Sequence, residues 1–78
     1  MDTLKLVQTI IFEKTGKRGI TSDTDFIKDL ELNSFDIMNL VCAFEDYFDV
    51  SIPTRDVWNM HTVSDVVAYI RLHEDELR

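Results

Sequence analysis

Apolar residues recur at helical spacing in three separate segments of this sequence, and this periodicity constrains the fold more than any other feature. The middle segment has the i, i+3, i+4, i+7, i+11 spacing of a helix that turns one face to a core. Its apolar positions are Ile37, Leu40, Val41, Phe44 and Phe48. No segment alternates apolar and polar residues at the strand period of two. The sequence therefore predicts an all-α fold.

Glycines separate the first helix from a long loop. Gly16 and Gly19 bracket a basic turn that should end the first helix. The loop that follows, over residues 17–33, is long for so small a chain, and such loops are usually functional or packed by their own side chains. The apolar residues expected to anchor it are Ile20, Phe26, Ile27, Leu30 and Leu32.

Helix start and stop signals also divide the second half of the chain. The second helix should cover 34–49. Pro53 should precede a short helical turn that ends at Trp58, and we expect the side chain of Trp58 to pack this turn onto the bundle. Thr62 is a good N-cap for the last helix, whose end should fray over 73–78. Three main helices and one short helix predict a small four-helix bundle.

Length and composition bound the function classes. The chain has 78 residues, so we expect a single domain over 1–78 with little room for a buried enzymatic pocket. Cys42 is the only cysteine, which excludes an internal disulfide, and no Cys/His cluster offers a zinc site. No apolar run has the length of a membrane span, and no signal-peptide pattern opens the chain. We expect a soluble, cytoplasmic monomer without membrane insertion.

The chain is strongly acidic, and its charged residues are unevenly distributed. Fifteen acidic residues against eight basic ones give a formal net charge of −7, which makes nucleic acid an unfavourable partner. Between residues 29 and 54 there is no Lys or Arg. This stretch is either a solvated acidic face or a docking surface for basic partners. Its acids are Asp29, Glu31, Asp36, Glu45, Asp46 and Asp49.

A serine opens the second helix. Asn33 is a strong N-cap residue, which places Ser34 at the first helical position with its hydroxyl directed outward. Helix N-termini carry partial positive charge and free N–H groups, so they accommodate an attached phosphate. The local pattern alone fits two interpretations, a serine that belongs to the cap and a serine that is modified.

The residues around this serine resemble the attachment region of acyl carrier proteins. The family pattern there is Phe-x-x-Asp-Leu-x-x-Asp-Ser-Leu-Asp, and residues 24–36 follow it as Phe26, Asp29, Leu30, Asn33, Ser34, Phe35 and Asp36. The resemblance extends over almost the whole chain. Its further positions are Phe44–Phe48, Ile52, Pro53, Met60, Thr62, Val63, Tyr69 and Ile70.

The resemblance implies a carrier rather than an enzyme. A phosphopantetheinyl transferase would load Ser34 from coenzyme A with Mg²⁺, and the thiol of the 4′-phosphopantetheine arm would hold an acyl group as a thioester. The carrier would present that group to acyl-loading and chain-modifying enzymes of fatty-acid, polyketide or related biosynthesis. Two alternatives are an amino-acyl (D-alanyl or peptidyl) carrier and a helical interaction module that is never modified.

Two residues at the motif depart from the family pattern. Asn33 replaces the Asp before the serine, and Phe35 replaces the Leu after it. Asn caps a helix as well as Asp does, so the fold should not suffer. The negative charge that could pair with a basic transferase is lost. Asn39 also lies where many members carry an acid, and these departures suggest a dedicated carrier for a particular pathway.

A second apolar stripe lies off the core face of the second helix. At about 100° of rotation per residue, Phe35, Met38 and Cys42 cluster away from Phe44. They either fold back as semi-buried filler or form an exposed strip, rimmed by acids, that partner enzymes grip. We favour the second interpretation. We give the name docking strip to these apolar residues together with the polar and acidic residues beside them: Asn33, Phe35, Asp36, Met38, Cys42, Glu45 and Asp49.

Overall fold

The protein forms four helices. The computed structural model describes residues 2–76, with side chains as far as His73. The helices are α1 (Thr3–Thr15), α2 (Ser34–Phe48), α3 (Thr54–Val57) and α4 (Val63–Glu76). The described residues contain no strand, only an isolated antiparallel bridge between Asp25 and Thr62. The predicted all-α architecture of three main helices and one short helix is confirmed.

Local groups fix both ends of α1. The side chain of Asp2 accepts a hydrogen bond from the N–H of Lys5 at 3.3 Å, which caps the first turn. Gly16 ends the helix in the left-handed region at φ +73°, and its N–H donates to the carbonyl of Phe12 at 2.8 Å. Any residue with a Cβ would be strained at that φ, so the glycine sets where α1 ends.

A reciprocal cap starts α4 where the sequence predicts. The carboxylate of Asp65 accepts hydrogen bonds from the N–H groups of His61 and Thr62 at 2.9 and 3.1 Å. The hydroxyl of Thr62 in turn accepts from the N–H of Asp65 at 3.4 Å. The helix continues through residue 76, past the predicted start of fraying, and the final two residues lie outside the described residues.

The core lies where α1 packs against both α2 and α4. The predicted stripe of α2 is buried at Leu40, Val41, Phe44 and Phe48, whereas Ile37 is half-buried at the edge. The bulkiest fully buried side chains come from all three long helices: Val7, Ile11, Phe44, Val63 and Ile70. The helical period therefore identified the core correctly.

The loop before α2 is pinned to the start of α4. The N–H of Phe26 donates to the carbonyl of His61 at 3.0 Å, and the N–H of Val63 donates to the carbonyl of Thr24 at 3.0 Å. These bonds hold the loop in place without a strand. A loop fixed in this way can position the residues that follow it.

Two apolar residues outside the long helices lie where the sequence did not predict. Phe26, Leu30 and Leu32 anchor the loop as expected, but Ile27 is 53% exposed and points away from the core. Trp58 was expected to pack α3 onto the bundle, and this prediction is wrong, because its side chain is 47% exposed. Among the described residues, no helix combines the length and the apolar character needed to cross a bilayer.

The cap of α4 predicts a pH-dependent contribution to stability. The backbone N–H groups of His61 and Thr62 lower the pKa of Asp65 below its ordinary value of 3.8. A lowered folded-state pKa stabilises the fold above the unfolded pKa, and that contribution is lost as the pH falls through the folded value. Asp65→Ala should therefore lower the melting temperature at pH 7, and its difference from the wild type should narrow below about pH 4.

Thermal melts over a series of pH values measure this difference. Asp46→Ala is the matched control, because Asp46 is exposed and its carboxylate accepts no hydrogen bond from another described residue. A deficit for Asp65→Ala that is constant from pH 7 to acid would show that the charge of this cap contributes nothing.

Candidate functional site

A reciprocal cap also starts α2. Asn33 has an extended backbone, and its side-chain oxygen accepts a hydrogen bond from the N–H of Asp36 at 2.8 Å. The carboxylate of Asp36 in turn accepts a longer hydrogen bond, of 3.5 Å, from the N–H of Asn33. The predicted N-cap role of Asn33 is confirmed. Asp36, which the sequence placed in the docking strip, is half-buried and has a structural role in this cap.

Ser34 occupies the first helical position and is exposed. Its hydroxyl makes no hydrogen bond to any described residue, because Asn33 alone supplies the cap. The N–H groups of Ser34 and Phe35 also have no partner among the described residues. A free hydroxyl therefore stands beside two free donors at the positive end of a helix, which suits a phosphate attached to the hydroxyl.

The chain that leads into Ser34 is held on both sides of a sharp turn. Leu30 and Leu32 are buried, and the N–H of Leu32 donates to the carbonyl of Phe26 at 3.1 Å. Between them Glu31 adopts the left-handed conformation at φ +55°. Two buried anchors just before the helix leave little freedom at its first turn, so the exposure of Ser34 is built into the fold.

An apolar gap lies beneath this end of α2. Its volume is about 20 Å³, close to the room that one water molecule needs. Ile37, one turn after Ser34, lies at the gap, together with Val57 and Met60 from α3 and the residues just after it. The remaining lining residues are Phe26, Leu40, Val41, Phe44 and Val66.

The sequence did not identify this gap. The sequence feature that could have indicated the gap is the pair of apolar residues after Pro53, Val57 and Met60. Spacing along the chain does not reveal which side chains meet across two helices, so only the structure brings them opposite Ile37.

The docking strip is only partly exposed. Phe35 is 74% exposed and Cys42 is exposed, so both lie off the core as predicted. Met38 is different, because it is half-buried and packs against the core. The expectation that Met38 contributes nothing to the core is wrong. At the junction of two stripes on one helix, a long flexible side chain can reach the apolar side.

The acids of the strip differ in their availability. The carboxylate of Glu45 accepts a hydrogen bond from the N–H of Ile52 at 2.9 Å, so this half-buried residue also holds the chain after α2. Asp49 is exposed and ends α2 in the left-handed region at φ +55°. Of the three acids in the docking strip, Asp49 alone is therefore exposed. Asp46, which lies outside the strip as defined, is exposed on the same helix.

Comparison with known proteins identifies the family. The protein family described as the phosphopantetheine attachment site matches residues 5–70 of the chain. The chain belongs to the acyl carrier protein family. An acyl carrier protein of Akkermansia muciniphila is 41% identical over 66 residues, which are 82% of this chain and 82% of the relative. One of Helicobacter hepaticus is 34% identical over 76 residues, 95% of this chain and all of the relative.

A solved structure confirms the fold of this acyl carrier. The crystal structure of an acyl carrier protein from Thermotoga maritima superposes with a TM-score of 0.83 and 28% sequence identity, covering all of this chain and 96% of the other. Family membership makes the protein a carrier, not an enzyme, with covalently attached 4′-phosphopantetheine as its prosthetic group. The free hydroxyl and free N–H groups at the start of α2 fit the phosphate of that group.

The exposure of Phe35 predicts a small effect on stability. Phe35→Ala should change the free energy of unfolding by no more than about 0.5 kcal/mol, as exposed substitutions usually do. Phe44 is 2% exposed, so Phe44→Ala should cost about 3–5 kcal/mol. Met38→Ala should fall between these two because Met38 is half-buried. Denaturant unfolding measures all three variants. Equal losses for Phe35→Ala and Phe44→Ala would place Phe35 in the core.

Proposed function

We propose that this protein is a single carrier domain, residues 1–78, that holds an acyl group as a thioester on a 4′-phosphopantetheine arm attached to Ser34. The arm supplies the thiol when it is attached. The residues of this chain expose the serine, orient the first turn of α2 and leave two N–H groups for the phosphate. We further propose a dedicated role in fatty-acid, polyketide or related biosynthesis.

One observation carries the assignment of the site. Ser34 is an exposed serine at the first position of α2 whose hydroxyl the cap does not use, and it lies within the matched residues 5–70. A serine that served as the cap itself would direct its oxygen to the N–H of the third helical residue. Asn33 has that role here.

The apolar gap supports an acyl group over an amino-acyl group. Every residue that lines the gap is apolar. Burial of an alkyl chain among such side chains is favourable, at about 0.8 kcal/mol for each buried CH₂. An amino-acyl group carries an ammonium, and burial of an unpaired charge there would be costly. The acyl carrier is therefore the proposal, and the D-alanyl or peptidyl carrier is the alternative.

The charge of the chain supports partners with basic surfaces. Asp46 and Asp49 are exposed on or just after the last turn of α2, and Phe35 is exposed at its beginning. A helix that exposes an apolar side chain at one end and acidic side chains at the other is typical of a surface that docks transiently and is steered by charge. We propose that the transferase and the acyl-handling enzymes contact this face, with Cys42 between its two ends. We also propose that the protein acts in the cytoplasm as a monomer.

Loading by a transferase tests the proposed function directly. With a broad-specificity phosphopantetheinyl transferase, coenzyme A and Mg²⁺, intact-mass spectrometry should show the addition of one arm. Ser34→Ala should show none, because it removes the attacking hydroxyl. The absence of any addition with several transferases would exclude the carrier and favour the unmodified interaction module. Addition to Ser34→Ala would move the site elsewhere.

Asn33→Asp tests the role of charge beside the site. The variant keeps an acceptor for the N–H of Asp36, so the melting temperature should change little. The added charge should raise the loading rate by transferases with a basic docking surface, and the gain should shrink at high salt because exposed charges are screened. Initial rates at two ionic strengths measure the effect. Equal rates for both proteins at low salt would make the substitution neutral.

A further inference from the structure

One wall of the apolar gap is formed by residues 51–60, which we call the α3 segment. The helix within it spans four residues, and no side chain caps it at Pro53. A helix this short is not stable by itself. Its position therefore depends on contacts with the other helices, which include the burial of Ile52 and Val57.

Two hydrogen bonds from neighbouring helices fasten the α3 segment. From α4, the hydroxyl of Tyr69 donates to the carboxylate of Asp56 at 3.0 Å, and the carbonyl of Ser51 lies 3.4 Å from the same hydroxyl. From α2, the carboxylate of Glu45 accepts from the N–H of Ile52 at 2.9 Å. The ring of Tyr69 stacks on the ring of His73 with centroids 4.1 Å apart, which fixes its direction.

The gap is too small for an alkyl chain unless a wall moves. Its 20 Å³ hold about one water molecule. The walls from α2 and α4 contain core side chains such as Phe44 and Val66, which cannot move without disruption of the bundle. Val57 is as deeply buried as these two side chains, but it belongs to a four-residue helix that has no side-chain cap and depends on its neighbours for its position. The wall from Val57 and Met60 is therefore the one that can yield.

We propose that the hydrogen bond from Tyr69 to Asp56 holds the α3 segment against α2 and thereby limits the length of acyl chain that enters the gap. The inference rests on the proposed function, since it requires an acyl group on the arm. Tyr69 is here a positioning residue that acts through Asp56. Entry of a longer chain requires the segment to move outward, and this bond opposes the movement.

The first experiment uses the protein without its arm, so that it does not depend on loading. Amide hydrogen exchange is measured at Val57 and Trp58, whose N–H groups bond to the carbonyls of Pro53 and Thr54 within the segment. Tyr69→Phe keeps the ring and removes the hydroxyl. Exchange there should become about two- to tenfold faster, the factor expected for one net hydrogen bond, while exchange in α1 stays unchanged.

Tyr47→Phe is the matched control. The side chain of Tyr47 is exposed, and its hydroxyl makes no hydrogen bond to another described residue. This variant should leave exchange in the α3 segment unchanged. Asp56→Ala removes the acceptor and should reproduce Tyr69→Phe, and the double variant should show no further increase. Unchanged exchange in Tyr69→Phe, or an equal increase in all helices, would overturn the proposal.

The second experiment compares butyryl and octanoyl thioesters on the loaded protein. A chain that binds the folded state raises its melting temperature. The gain from butyryl to octanoyl should be larger in Tyr69→Phe than in the wild type or Tyr47→Phe, because the longer chain then meets less resistance. An identical gain in all three proteins would overturn the proposal. A protein that cannot be loaded at all would instead overturn the proposed function, while the exchange result remains interpretable.

Discussion

Burial of one face of α2 is the constraint on which the rest of the structure depends. Helices of 13 to 15 residues, the lengths of α1 and α2, are marginal in water by themselves. Phe44 lies at the centre of the shared core, where α2 contributes a continuous stripe of buried side chains. That stripe fixes the rotation of α2 about its axis. Once this rotation is fixed, Ser34 and Phe35 must face outward at the first turn of α2.

Sequence reasoning succeeded wherever a single element decides the outcome. The period of α2 identified its buried face, and Asn33 and Thr62 were recognised as caps because a cap is made by residues three positions apart. The exposure of Phe35 followed from the same period. Such features depend on local geometry, which the sequence carries directly.

The sequence did not predict features that depend on contacts between two separate elements. Met38 lies off the core stripe by rotation, yet its length lets it reach the core. Glu45 reads as a surface acid, but it accepts a hydrogen bond from a backbone N–H seven residues further along the chain. Trp58 was expected to be buried because it is large and apolar, and the short α3 does not present it to the bundle. These outcomes depend on where the chain after α2 lies, and no local pattern determines that.

The same division separates what is rigid in this carrier from what can yield. The helices that bear the core also bear Ser34, so the proposed point of attachment is held firmly, and backbone hydrogen bonds pin the loop before it to the start of α4. The α3 segment has little core of its own and is fastened by side chains from its neighbours, Glu45 and Tyr69. A domain of this size has only a small stability margin. Movement confined to one short segment would leave the three long helices packed, so the proposed entry of an acyl chain into the gap would not require the protein to unfold.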